Sequence, residues 1–279
     1  MKNKNYIKVF FLALVALLFI ISGCTKVKPT PTATTAYFGL HLHTAINDSQ
    51  IAPSSLNVYI PDSLGRVEQF YHAQFYMTNI SLHSTSINSW YVIPNTYILK
   101  REENEEYDLG NVPADNYDDV RFTVGLGPSL NNGSPATYTT TGTDSVLSSL
   151  ESFMYFGSGE GYKFLSVAGV VDTTHNNSGT NLIPFSYDLG ANGDTVVVTL
   201  PVNPFTLQPS ANVGGNVQLV HIVCDYGYLL QNVPIVGTPA ARNISTNGTT
   251  PQPGSVAAQI WARIVGMFTY ECSTPTKDC

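Results

Sequence analysis

The stretch YFGLHLHTAI, residues 37–46, decides how the rest of the chain is read. In a strand, successive side chains face opposite ways, so Phe38, Leu40 and Leu42 line one face and His41 and His43 the other. The chain has six histidines, and two of them fall together on one face of its first strand.

The same two-residue period recurs downstream. In EQFYHAQFYMTNISLHS (68–84), Phe70, His72, Gln74, Tyr76, Thr78 and Ile80 alternate with Tyr71, Ala73, Phe75, Met77 and Asn79. SWYVIPNTYIL, DDVRFTVGLG, YKFLSVAGVV, LIPFSYDLG, DTVVVTLPV and NVQLVHIVCDYGYLL continue the series, separated by Gly, Asn, Pro and Ser. ANGD (191–194) carries an Asn-Gly hairpin signal between two of these runs. Two segments have a helical period instead. TDSVLSSLESFMY (143–155) gathers Val146, Leu147, Leu150, Phe153 and Met154 behind an N-cap at Thr143 or Asp144, and PGSVAAQIWARIVGMF (253–268) gathers Val256, Ile260, Ile264, Val265 and Phe268. These patterns predict an all-β protein: an antiparallel β-sandwich with a short inserted helix and a closing C-terminal helix.

Upstream, Lys2, Lys4 and Lys8 precede an apolar run from Val9 to Ile21, closed by Ile21-Ser22-Gly23-Cys24. The run is short for a membrane span and reads as a secretory signal. Its end resembles a bacterial lipobox, which implies cleavage before Cys24 and acylation of its thiol. Each buried methylene of an acyl chain adds about 0.8 kcal/mol of membrane affinity, so a multiply acylated Cys24 is a firm anchor. Thr25 and Lys26 follow, favouring an outer-membrane lipoprotein on the periplasmic or the cell-surface side. The expected organisation is a signal peptide over 1–23, lipidated Cys24 with a Pro/Thr-rich tether over 24–36, and one domain over 37–279.

The leader carries Lys2, Lys4 and Lys8 of the 13 basic residues, leaving ten against 20 acidic ones. With no basic patch to meet phosphate backbones, nucleic acid is excluded as a partner class. Of the four cysteines, Cys272 and Cys279 are placed to close a small loop at the C-terminus in an oxidising compartment. Cys224, in phase with Val220 and Ile222, reads as a buried free thiol. No CxxC pair exists, which removes zinc-ribbon and thioredoxin readings.

Nucleophilic hydrolysis is poorly supported, and the many Asp/Glu pairs leave a glycosidase carboxylate pair open. There is no G-x-S-x-G elbow, and GSGEG (157–161) is a Gly-rich turn without the strand–Ser–helix context. GLGPSLNNG (125–133) runs into a loop rather than a phosphate-binding helix. The run KREENEEY, with Glu102, Glu103, Glu105 and Glu106, reads as a solvated turn. DTTHNNSGTN (172–181) lacks EF-hand spacing.

Among these chemistries metal binding has the better support, at His41-x-His43, though the motif alone does not decide it. Two imidazoles at i and i+2 of a rigid strand can close on one ion, and imidazole suits Cu, Zn and Ni. A third ligand is needed, with His72, His83, His175, His221 and Asp188 as candidates. The competing reading leaves His41 and His43 half-exposed on the wet face of an edge strand.

Several segments, in order, resemble the MbnP-like family of periplasmic or lipoprotein β-sandwiches. They are FYMTNISL (75–82), NVPADNYDDVRFTVGLGPSLN (111–131), MYFGSGEGYKFLSVAGVVD (154–172), PFSYDLG (184–190) and AAQIWARIVGMF (257–268). The resemblance implies an extracytoplasmic copper protein that works beside a di-haem c-type peroxidase, with histidines and a kynurenine made from tryptophan as ligands. His43 falls on the family's first-strand histidine and has the stronger claim; His41 comes second. Phe156 and Ser158 stand where the family has tryptophans, and Asp188 where it has a histidine. Trp90 and Trp261 read as packing residues. The expected metal set is His41, His43 and Asp188, holding copper in a non-enzyme. The alternative is a surface or scaffold lipoprotein on the same fold that has lost the copper site and binds protein or glycan.

Overall fold

The computed structural model describes residues 35–47, 49–51, 60–61, 64–174, 178–209, 217–235, 242–274 and 279. Cys24 and His175 lie outside the described residues. The compact unit spans Thr35–Cys279.

Its strands are β1 (Thr35–Ile46), β2 (Ser49–Gln50), β3 (Ile60–Pro61), β4 (Val67–Ser84), β5 (Ser89–Val92), β6 (Tyr97–Lys100), β7 (Glu106–Pro113) and β8 (Asn116–Val124). There follow β9 (Tyr155–Gly157), β10 (Gly161–Tyr162), β11 (Leu165–Asp172), β12 (Leu182–Leu189), β13 (Val196–Thr206), β14 (Gln218–Asp225), β15 (Asn243–Ser245) and β16 (Phe268–Thr274). One sheet has the order β16-β14-β1, with β7 and β2 also on β1. The other runs β13-β8-β4-β11-β12-β15, with β3, β5 and β6 also on β4.

The alternation of β1 sets the packing between the sheets. Phe38, Leu40 and Leu42 are fully buried, as are Val220, Ile222 and Cys224 of β14. They share one core with Phe75, Met77 and Phe122 of the second sheet. Ring contacts tie the layers together: Phe38 to Phe205 at 6.3 Å, and Phe268 to Phe75 and Phe122 at 5.4 and 4.9 Å. Each such buried side chain contributes about 1.5–3 kcal/mol relative to exposure.

The sandwich is all-β as expected, with four differences in detail. First, the pairing is mixed: β1 with β14 and β12 with β15 run parallel. Second, the simple alternation over 68–84 is reset by register shifts against β11 at Ala168/Gly169 and against β8 between Thr78 and Ser81, where Asn79 has φ of 51°. Inward residues therefore run Phe70, Ala73, Phe75, Met77, Ile80, Leu82. Third, ANGD turns with Gly193 at φ of 85°, yet β12 and β13 pair with other strands, so it joins no hairpin.

The fourth difference concerns the helices. Residues 143–155 form two 3-10 segments, Thr143–Leu147 and Ser149–Met154, because Ser148 is extended and caps the second through its hydroxyl. Only Leu147 and Met154 of the expected apolar face are buried, while Leu150 is 64% exposed. The C-terminal helix Val256–Arg263 forms behind its Ser255 cap, but it does not close the domain. The chain continues through a 3-10 turn into β16, which adds to β14.

Candidate metal centre

The outward face of β1 is where the histidines meet. β1 is no edge strand: β14 pairs along residues 38–45, and β7 pairs along 35–41. In the parallel register His41 stands opposite His221 and His43 opposite Val223. Because Val220, Ile222 and Cys224 point into the core, His221 must point out, onto the face that carries His41 and His43. Ring centroids lie 4.1 Å apart for His41–His43, 4.7 Å for His41–His221 and 5.4 Å for His43–His221. His221 is fully buried and His41 nearly so, which removes the half-exposed reading for His41, while His43 keeps 17% of its side chain exposed.

Two carboxylates complete the group. Glu105 Oε2 lies 3.6 Å from His41 Nε2 and 3.9 Å from His43 Nδ1. Glu105 Oε1 accepts the Thr44 amide at 3.0 Å, and its carbonyl accepts the Leu42 amide at 2.8 Å. Burial pushes the Glu105 carboxyl up, but the His41 contact, the Thr44 amide and the charge of Lys100 outweigh it and hold it below its ordinary value. The turn before Glu105 is fixed from within the protein. Lys100, fully buried, donates to Thr44 Oγ1 (2.9 Å), Arg101 O (2.6 Å) and Asn104 O (3.0 Å), using all three ammonium hydrogens.

Glu271 arrives through a β-bulge. β16 pairs Tyr270 with Ile222 and Cys272 with His221, so Glu271 is the extra residue between them. A bulge re-aims a side chain that regular alternation would send to the opposite face. Glu271 Oε2 lies 3.2 Å from His43 Nε2, and Gln50 donates to its other oxygen at 2.8 Å.

This donor set fits a divalent transition-metal ion such as copper or zinc. One nitrogen from each of His41, His43 and His221 lies within 4.8 Å of the others. His43 Nε2 and His221 Nδ1 are 3.1 Å apart, the spacing expected of two nitrogens each about 2 Å from a shared ion. His41 Nδ1 is buried with no hydrogen-bond partner. Burial, reinforced by His41, lowers the His43 pKa despite Glu271 and Glu105, favouring the neutral ligand form. Imidazoles with flanking carboxylates suit Cu(II) and Zn, and nothing in the set demands redox-inert geometry.

Asp188 does not join the pair. On β12 it accepts Ser166 Oγ at 2.6 Å and meets Lys163 Nζ at 2.9 Å, in the second sheet. His72 bonds the same Ser166 at 2.9 Å, and His83 meets Asp118 at 2.7 Å. Phe156 lies beside Lys163, Trp261 packs on Phe164, and Trp90 lies beneath Arg121. Cys272 and Cys279 are bonded, and Cys224 is a buried free thiol. Sequence reading left His221 among several candidates, because only strand register selects it. It missed Glu105, hidden in a charge run, and Glu271, which no alternation rule would place there.

A family profile described as MbnP matches residues 35–248. No curated protein matches the chain. Among solved structures, the chain is similar to MbnP from Methylosinus trichosporium, with 13% identity, a TM-score of 0.43, and coverage of 68% of this chain and 76% of that one.

Proposed function

The chain belongs to the MbnP family, and from that premise we propose that it is an extracytoplasmic copper-binding protein whose ion is held by His41, His43 and His221. Glu105 and Glu271 flank the ion and balance its charge. The observation that carries this reading is the convergence of three imidazoles, from two strands far apart in sequence, on one buried face. Bound copper would supply an ion available for one-electron chemistry or for delivery. The chain's own residues hold it, keep His43 neutral and limit access by water.

Cys24 is proposed as the lipid anchor to the outer membrane, and a di-haem c-type peroxidase as the partner. The ligand set departs from the one the sequence resemblance implied. Phe156 cannot be converted to kynurenine and Asp188 is committed to Lys163, so the site is built from His221 instead. The scaffold reading, with the copper site lost, is disfavoured by this replacement set.

The test is electron paramagnetic resonance of the protein loaded with Cu(II) and desalted. Superhyperfine structure from three imidazole nitrogens supports the assignment; copper that washes off on desalting refutes it.

A further inference from the structure

His221 belongs to two clusters at once. Besides the imidazole trio, one of its ring nitrogens lies within 4.8 Å of the sulfurs of Cys272 and Cys279, which are likewise within that distance of each other. Cys272 stands directly opposite His221 in the β14–β16 register. The sulfur pair therefore lies against the metal centre, joined to it through a shared ligand.

We propose that the Cys272–Cys279 bond is a redox gate on the metal centre, and that its two sulfurs, once reduced, form with His221 a soft site for Cu(I). This rests on the imidazole reading only in taking His221 as a ligand. The oxidised pair offers no thiolate, so the centre presents nitrogen and oxygen donors. Reduction changes the donor class: thiolates select Cu(I), whereas carboxylate and imidazole serve divalent ions.

The chemistry balances with a dithiol as reductant. A thiolate of the dithiol attacks one sulfur, the Cys272–Cys279 bond breaks, and a mixed disulfide forms. The second dithiol sulfur closes on the first, so the reductant leaves as a disulfide having given two electrons, while its two protons pass to the two new thiols. Binding of Cu(I) then releases those protons from the coordinating sulfurs. Access and geometry both favour this sequence. Cys279 is exposed and Cys272 half-buried, and the bond joins residues only seven positions apart, so it closes a short loop whose opening changes chain entropy little. The remaining described thiol, Cys224, is fully buried in the core and takes no part.

The test uses purified protein under anaerobic conditions, as isolated and after treatment with a dithiol that is then removed. Both forms are titrated with Cu(I) against a chromophoric chelator, and reactive thiols are counted before and after. We expect two further thiols on reduction, Cu(I) held about 10- to 100-fold more tightly, and both thiols masked by the ion. Cys272→Ser/Cys279→Ser should lack the gain, and His41→Ala/His43→Ala should keep it, because His221 and both sulfurs remain. Equal Cu(I) affinity in the two parent forms, or thiols that stay reactive with Cu(I) bound, would overturn the inference. A parent that binds copper only after reduction would support the sulfur site while removing the imidazole reading.

Discussion

His43 Nε2 lies 3.1 Å from His221 Nδ1, although 178 residues separate them. The contact exists because β14 pairs parallel to β1 with His41 and His221 in register. A one-residue slip of β14 would turn His221 into the core and Val220 out of it, so the hydrophobic pattern that fixes the sandwich also fixes the imidazole cluster.

Glu105→Gln keeps an oxygen to accept the Thr44 amide but removes the negative charge beside His41 and His43. Cu(II) affinity should fall about 10- to 100-fold with little change in fold stability. Competition titration reads the first effect and thermal melting the second; unchanged affinity would place Glu105 outside the ion's surroundings.

Lys100→Met tests how the turn is held. The variant removes the buried donor of Thr44 Oγ1 and leaves the carbonyls of Arg101 and Asn104 only the Asn104 amide and the Tyr107 hydroxyl. The expected loss is about 2–4 kcal/mol in urea unfolding, together with weaker copper binding as Glu105 loses its position.

Acid should destabilise the metal-free protein. The folded-state pKa of His43 lies below its ordinary 6.5, so the unfolded chain takes up the proton first as pH falls, and stability is lost below about pH 6.5. Glu105, also lowered, adds a further loss below about 4.5. Urea midpoints measured from pH 8 to pH 4 should decline across these windows, and His43→Asn should flatten the upper one.

The strand periodicity, the buried face of β1 and the buried Cys224 were all legible in the sequence, because alternation is a local property. His-x-His was legible for the same reason. His221 as the third imidazole was not, since its selection depends on a parallel pairing between the ends of the domain. Glu271 depends on a bulge, and Glu105 on a buried lysine that converts an acidic turn from solvated to structural. The 143–155 segment misled because its apolar residues are spaced for a helix, while Ser148 caps a new turn in the middle and breaks the run.

Cys224 should be inert in the native fold. Burial pushes its thiol up to about 12, so alkylating agents at pH 8 should reach it only on unfolding. Cys224→Ala should cost about 1–2 kcal/mol through the cavity it leaves and should not alter copper affinity. Labelling followed by mass spectrometry checks the first outcome and parallel copper titration the second.

In the proposed site His221, rather than Asp188, completes the set begun by His41 and His43. The most direct test of that assignment is copper stoichiometry and competition affinity on the parent, His221→Ala and Asp188→Asn. About one copper per chain is expected in the parent, held at least about 100-fold more weakly by His221→Ala and unchanged by Asp188→Asn. Copper bound equally by all three, or weakened by Asp188→Asn alone, would contradict it.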